Sequence, residues 1–120
     1  MKLEPDLIKE ILQFCEDKLP DDDQMWSASN LEIKGFDSKQ IIFHAKLLHE
    51  NGYIKGEIAD TLSERDFDFD SLTMNGYQYL ALLKGKAWNT AKGMIHEFGV
   101  IFAEGAIRAI IDKYSPIILP

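Results

Sequence analysis

The sequence predicts an α+β fold that is mostly α-helical, arranged as a winged helix-turn-helix-like domain. Residues 36–54 are typical of a capped helix that ends at Gly52 and continues into a strand. Aromatic and acidic residues alternate over 66–70, which indicates a strand with one solvent-facing side. Apolar residues recur at helical spacing over 7–15. We therefore expect helix, short strand, helix, β-hairpin wing and helix, followed by an apolar C-terminal helix.

Length and charge limit the organisation and the function. The 120 residues fit one compact unit, which we divide into a winged-helix-like domain at 1–86 and a C-terminal helical extension at 87–120. The net charge of −7 opposes non-specific nucleic-acid binding. A single cysteine excludes an intramolecular disulfide, and no apolar run resembles a secretion signal or a membrane span, so we expect a cytoplasmic protein.

The first helix is predicted over 5–19, with Pro5 at its first position and Asp6 near its positive end. Its apolar face includes Cys15, which we interpret as a small core residue rather than a reactive thiol, because no cation or histidine is suitably spaced. Trp26 follows the acidic loop and either covers the core or anchors a partner. Alternation over Leu31–Lys34 predicts a short strand.

The central helix is predicted over 38–51, with Asp37 as its N-cap. Ile41, Ala45 and Leu48 form its buried face. His44 lies beside that face, which favours a hydrogen-bonded core histidine over a catalytic one. Phe43 falls among charged residues, so it is covered by another element, covered by a partner, or exposed.

Two strands, 53–59 and one centred on 67–70, predict a hairpin whose acidic residues suit DNA poorly. Thr73 is the predicted N-cap of the next helix, whose apolar side would be Met74, Tyr77, Leu80 and Ala81. Trp88 would open a short linker helix before the last helix.

The last helix, predicted over 94–113, is apolar around more than half of its circumference. Three explanations compete: self-association through paired helices, burial against the first helix, and capture of a partner or a membrane surface. Self-association is favoured and predicts a homodimer. The predicted interface residues are Phe98, Val100, Phe102, Ile107 and Ile111.

No catalytic, metal or cofactor site is predicted. His44 and His49 are five residues apart, whereas a helical zinc pair is spaced by four. There is no second cysteine for a zinc site, and no phosphate-binding or dinucleotide-binding glycine pattern occurs. We therefore expect a protein that is not an enzyme.

Three motifs together resemble a bacterial and prophage family, the unknown-function domain family 2513. They are Asp6-Leu7-Ile8-Lys9 in the first helix; His44, Leu47, Leu48, Gly52 and Ile54 around the end of the central helix; and Leu72, Thr73, Gly76, Tyr79 and Leu80 in the next, with Trp88 after them. The resemblance covers about 5–92. It implies a winged-helix-like domain with a variable C-terminal extension and implies no activity.

Two functions remain open from the sequence. A DNA-binding regulator would present Lys39, Gln40, Phe43 and Lys46 in the major groove. A protein-interaction module would use the apolar C-terminal segment. The acidic charge, the acidic hairpin and the lack of room for a scaffold helix before 36 favour the interaction module.

Overall fold

The structure is a computed structural model that describes residues 2–19, 26–85 and 88–99. Its elements are α1 (Pro5–Lys18), β1 (Trp26–Ser27), a 3₁₀ turn (Ala28–Asn30), α2 (Ser38–Glu50), β2 (Ile54–Ile58), β3 (Phe67–Leu72), α3 (Met74–Leu83) and α4 (Trp88–Phe98). The described part of the chain thus holds four α-helices and one antiparallel sheet, which confirms the α+β prediction.

Helix α1 runs through the centre of the core. Pro5 occupies its first turn, where a missing backbone N–H costs nothing. Leu7, Ile8, Ile11, Leu12 and Cys15 are all fully buried, as their spacing predicts. Cys15 is therefore a core residue, and the prediction of a structural thiol is confirmed.

The first strand differs from the prediction. Leu31–Lys34 is not a strand; Trp26 and Ser27 instead pair with Phe69 and Asp68. The Ser27 hydroxyl also donates to Asp68 at 2.7 Å, which helps to fix this register. Exposure does alternate along Leu31–Lys34, but Lys34 already belongs to a turn in which the Phe36 N–H donates to the Ile33 carbonyl, and strand pairing depends on which segment reaches β3. Trp26 is half-buried and packs edge-on against Phe14, with ring centroids 5.3 Å apart.

Helix α2 begins and ends as the sequence predicts. Asp37 and Gln40 form a reciprocal capping box. Gly52 follows the helix with φ at +83°, a left-handed conformation that glycine adopts without strain. Ile41, Ala45 and Leu48 face the core and are at most 1% exposed.

The sheet has the strand order β1-β3-β2, so the hairpin that follows α2 places β3 in the middle. Phe67 and Phe69 are buried while Asp70 is exposed, which confirms the period-two pattern. A register shift between Lys55 and Gly56 interrupts the pairing of β2 with β3. This irregularity twists the edge strand locally.

Helix α3 is capped by Thr73, whose hydroxyl accepts from the Gly76 N–H at 3.0 Å. Its predicted apolar face is only partly right. Leu80 is buried, but Met74 and Tyr77 are 73% and 38% exposed. Tyr79 is buried instead because its ring stacks on Tyr53, with centroids 4.5 Å apart.

Helix α4 corrects the prediction of a linker helix followed by a separate helix from 94. One helix continues through Gly93 to Phe98, and Gly99 follows it with φ at +78°. Ala91 and Ile95 are buried in the same core as α1. The division at 86/87 stays a prediction, as does the helix beyond Gly99, because 100–120 lie outside the described residues.

Candidate functional site

The outward face of α2 and the turn of the β2–β3 hairpin lie side by side on the surface. They line a groove of about 690 Å³. Helix α2 contributes Ser38, Lys39, Ile42, Phe43 and Lys46, and the hairpin contributes 63–66. Of the four residues predicted to contact DNA, three therefore line the groove, and Gln40 does not.

Gln40 is occupied in capping its own helix. Its side-chain oxygen accepts from the Asp37 N–H at 3.0 Å, and its own N–H donates to the Asp37 carboxylate at 2.8 Å. Reading a base would require Gln40 to give up this bond. The capping box therefore competes with the predicted DNA contact.

Lys46 is also engaged within the chain. Its ammonium lies 2.6 Å from Asp60 Oδ1, and the Arg65 guanidinium lies 3.1 Å from Asp60 Oδ2. The hydrogen bond from Lys46, reinforced by the Asp66 N–H and by Arg65, lowers the pKa of Asp60 to about 2. Asp60 therefore stays ionised at neutral pH and ties the hairpin to α2.

The hairpin turn is internally bonded. The Thr61 N–H donates to the Glu64 carbonyl at 2.8 Å, and the Glu64 N–H donates to the Thr61 hydroxyl at 3.0 Å. Asp66 accepts from both the N–H and the hydroxyl of Ser29, which joins the turn to the 3₁₀ segment. At the tip, Leu62 is fully exposed, with a fractional exposure of 110%.

The apolar lining of the groove comes from Ile42 and Phe43. Phe43 is 37% exposed and packs edge-on against the His44 ring, with centroids 5.4 Å apart. The lining contains three basic residues, of which Lys46 and Arg65 pair with Asp60. It also contains two acidic residues, Glu64 and Asp66. Lys39 is exposed and forms no ion pair with any residue that the structure describes. The groove is thus close to electrically balanced.

His44 confirms its predicted role as a core histidine. Its Nδ1 donates to the Gln40 carbonyl at 2.7 Å, and its Nε2 accepts from the Glu4 N–H at 2.9 Å. This pair of contacts requires a neutral ring. Burial accordingly lowers the pKa of His44, more than the Gln40 carbonyl and Glu4 raise it.

The predicted self-association residues receive no structural description. Phe98 is the last residue of α4, and its side chain lies outside the described part, as do Val100, Phe102, Ile107 and Ile111. Within 88–99, the ammonium groups of Lys9 and Lys92 lie 4.7 and 5.1 Å from the Trp88 ring centroid, and the Lys9 contact links α4 to α1.

Two further kinds of site are absent from the described ranges. Residues 2–19, 26–85 and 88–99 contain no group of three metal-ligating side chains close enough to hold an ion. None of the helices in this part of the chain has the length and hydrophobicity needed to cross a bilayer.

Comparison with known proteins assigns the chain to a family. A family model with the description Hypothetical protein (DUF2513) matches residues 2–101. The chain belongs to this family. Searches of curated proteins and of solved structures found no match. The resemblance seen in the three sequence motifs is therefore confirmed.

The DUF2513 match covers every helix and strand described above, so the whole groove lies inside the family domain. Phe102, Ile107 and Ile111 lie beyond the matched range. The groove therefore lies within the part of this chain that matches the family, whereas most of the predicted self-association residues belong to the segment that follows.

Sequence reasoning missed three residues of this DUF2513 site: Asp60, Leu62 and Arg65. The sequence of a polar loop does not show that Asp60 will pair with both Lys46 and Arg65, because the fold decides which charged residues meet. Leu62 did carry a signal, since it is the one large apolar residue in the run Asp60–Arg65. An apolar side chain at the tip of a polar turn has no core to enter.

Proposed function

We propose that this DUF2513 domain is a non-catalytic protein-interaction module. The observation that carries the proposal is that two of the four residues predicted to contact DNA are engaged within the chain. Gln40 caps its own helix, and Lys46 is paired with Asp60. What remains open beside them is an electrically balanced groove with an apolar lining, which suits a protein partner better than a phosphate backbone.

The element order supports a winged-helix-like arrangement for the domain. A helix, a short strand, a second helix and a hairpin follow one another, and the short strand pairs with the second hairpin strand. A helix-turn-helix also needs a scaffold helix directly before its recognition helix. A single 3₁₀ turn, Ala28–Asn30, and an irregular stretch stand in that place. This supports a winged-helix-like domain that lacks the helix pair used to hold a recognition helix on DNA.

The electrostatics favour the same conclusion. DNA binding depends on releasing counterions from several phosphates, so it needs several free cations on one face. Lys46 and Arg65 share Asp60, and Glu64 and Asp66 flank them. Lys39 alone gives too little positive charge to offset a chain of net charge −7.

The absence of catalysis is part of the proposal. The groove lining contains no histidine or cysteine. His44 uses both ring nitrogens in the core, and burial raises the pKa of the Cys15 thiol to about 12. Neither group is placed to act as a base or a nucleophile on a groove-bound molecule.

The C-terminal segment is a second candidate surface for self-association within this proposal. Its basis is the apolar circumference of the sequence after Gly99, with Val100, Phe102, Ile107 and Ile111 as the contacting residues. Because α4 already buries Ala91 and Ile95 against the domain, the pairing surface would begin at the end of α4, with Phe98.

DNA binding is the alternative function, supported by the element order and the exposed Ser38 and Lys39 at the start of α2. Fluorescence anisotropy of a mixed duplex DNA pool, titrated at low and moderate salt, separates the two. We expect no binding by the full chain at either salt concentration. Binding that weakens steeply with salt would overturn the interaction module and restore the regulator.

The Asp60→Asn variant should be titrated beside the parent chain. The substitution removes the carboxylate charge that neutralises Lys46 and Arg65. If internal pairing is what suppresses DNA binding, the variant should show weak, salt-sensitive binding that the parent chain lacks. Glu57→Gln makes the same change in net charge on the same hairpin but leaves Lys46 and Arg65 paired with Asp60, so it should not bind DNA.

A further inference from the structure

The hairpin tip carries an exposed apolar side chain, and the groove beside it has an apolar lining. Leu62 projects fully into solvent from a turn whose backbone is fixed by the Thr61–Glu64 hydrogen bonds. A leucine held in this position exposes its whole apolar surface at no gain to its own fold. Its exposure is therefore informative about what the tip contacts.

The groove supplies a matching surface. Phe43 and Ile42 give it an apolar lining, and its hairpin side is held rigidly to α2 by Asp60 and to the 3₁₀ segment by Asp66. Rigid walls mean that little conformational entropy is lost when a side chain enters. Leu62 does not fill the groove of its own chain, since it is completely exposed.

We infer that the occupant of this groove is Leu62 of a second copy of the chain. The inference rests on the proposed function and names the partner. A two-fold dimer needs one surface that carries both halves of the contact. The hairpin turn has Leu62 at its tip and forms one wall of the groove. Each tip can therefore enter the other chain's groove in a closed, reciprocal pair.

Charge supports the same pairing. Lys39 on α2 and Glu64, two residues after Leu62, form no ion pair with any described residue of their own chain. When the tip of one copy enters the groove of the other, its Glu64 approaches the opposing Lys39. Two such opposite-charge contacts form in each dimer and select the correct orientation.

The proposed contact between tip and groove is small, so we expect the dimer to be weak. Interfaces of this kind, built on two leucines and two phenylalanines, fall in the class of weak, transient associations. We therefore expect a concentration-dependent mixture of monomer and dimer in the micromolar range rather than a permanent dimer.

Sedimentation equilibrium of the full chain tests the inference with three variants. Leu62→Ser and Phe43→Ser should each raise the dissociation constant roughly 100-fold, because each dimer loses two apolar contacts worth about tenfold apiece. Met74→Ser removes another exposed apolar side chain, one that does not line the groove, and should leave the constant unchanged.

Mixing the two weakened variants gives a sharper test. A Leu62→Ser homodimer has no intact tip, and a Phe43→Ser homodimer has no intact groove. A mixed dimer has one intact tip in one intact groove, so the mixture should associate more tightly than either variant alone. Recovery on mixing is specific to a reciprocal contact between two different surfaces.

Disulfide trapping checks the geometry without depending on affinity. Cys15 is buried, so an added surface cysteine is the accessible one. Leu62→Cys chains mixed with Phe43→Cys chains should give a crosslinked heterodimer under mild oxidation, and Met74→Cys chains mixed with Phe43→Cys chains should not.

Two outcomes would overturn the inference: a full chain that is monomeric at every concentration, and a dimer whose strength neither Leu62→Ser nor Phe43→Ser changes. The second outcome would assign self-association to another surface, such as the C-terminal segment. Neither outcome bears on the DNA titration, which tests the proposed function separately.

Discussion

The Nζ of Lys46 lies 2.6 Å from the Oδ1 of Asp60, so one carboxylate joins the outward face of α2 to the base of the hairpin turn. The same carboxylate also accepts from Arg65 and from the Asp66 N–H at 3.0 Å. A surface pair of this kind adds little to global stability because solvent screens it. Its consequence is local, since it fixes the wall of the groove.

Asp60→Asn should therefore loosen the turn and spare the core. We expect faster amide hydrogen exchange at Asp66 and Ala59, with no change for amides in α1, because the opened region is confined to the hairpin. Exchange measured by NMR would show this pattern. Glu57→Gln is the control, and equal acceleration in both variants would contradict the role given to Asp60.

Acid should open the same turn in the unmodified chain. The pKa of Asp60 is depressed from 3.8 to about 2, so its contribution is fully present above pH 3.8 and is lost as the pH falls through 2. Hairpin exchange should accelerate across that window in the parent chain. An Asp60→Asn chain should lack this component.

The burial of His44 predicts that the free energy of unfolding also depends on pH, in a less acidic range. Burial depresses its pKa below the unfolded value of 6.5, so the unfolded chain binds more protons in the window just below 6.5. The free energy of unfolding should therefore fall as the pH drops from 7.5 to 5.5, as measured by urea denaturation. Protonation would also break the bond that Nε2 accepts from Glu4.

His44→Gln should lower the free energy of unfolding at pH 7.5 by roughly 1–3 kcal/mol, the usual cost of leaving a buried group unbonded. It should also flatten the dependence between pH 7.5 and 5.5. His96→Gln is the matched control, because His96 is exposed on α4, and it should keep the slope of the parent chain. A slope that survives in His44→Gln would assign the effect to another group.

Cys15 should be inert while the chain is folded. Its side chain is fully buried and its thiol has a pKa of about 12, so almost no thiolate exists at pH 8. Alkylation by iodoacetamide, followed by mass spectrometry, should be undetectable in buffer and complete in urea. Rapid modification in buffer would show that α1 leaves the core.

The pattern of right and wrong predictions has a physical explanation. The faces of α1 and α2 and the alternation of Phe67 and Phe69 follow from local periodicity, and the structure confirms them. The segment Leu31–Lys34 has the right alternation yet forms no strand, because strand partners are chosen in three dimensions.

The site was less predictable for the same reason. The position of Lys39, Phe43 and Lys46 on the outward face of α2 follows from the helical repeat. That Gln40 would be taken by the capping box could be read from Asp37 three residues earlier. That Lys46 would meet Asp60, fourteen residues later, depends on how the hairpin folds back and leaves no trace in the spacing.

Two glycines give opposite predictions for the same substitution. A Cβ built on Gly76 would lie 2.1 Å from the backbone oxygen of Tyr53 and 2.6 Å from the Leu72 Cδ1. Helix α3 can approach Tyr53 this closely only with glycine at that position. Gly93, inside α4, has no atom within 4 Å of a built Cβ.

Gly76→Ala should therefore destabilise the fold by roughly 1–3 kcal/mol, since the overlap with a backbone oxygen forces α3 to move. Gly93→Ala should stabilise it by about 0.5–1 kcal/mol, because alanine loses less backbone entropy in a helix. Urea denaturation of the two variants beside the parent chain measures both changes. If Gly76→Ala were as stable as the parent, α3 would not be packed against Tyr53 as described, and the stacking of Tyr79 on Tyr53 would have to be abandoned with it.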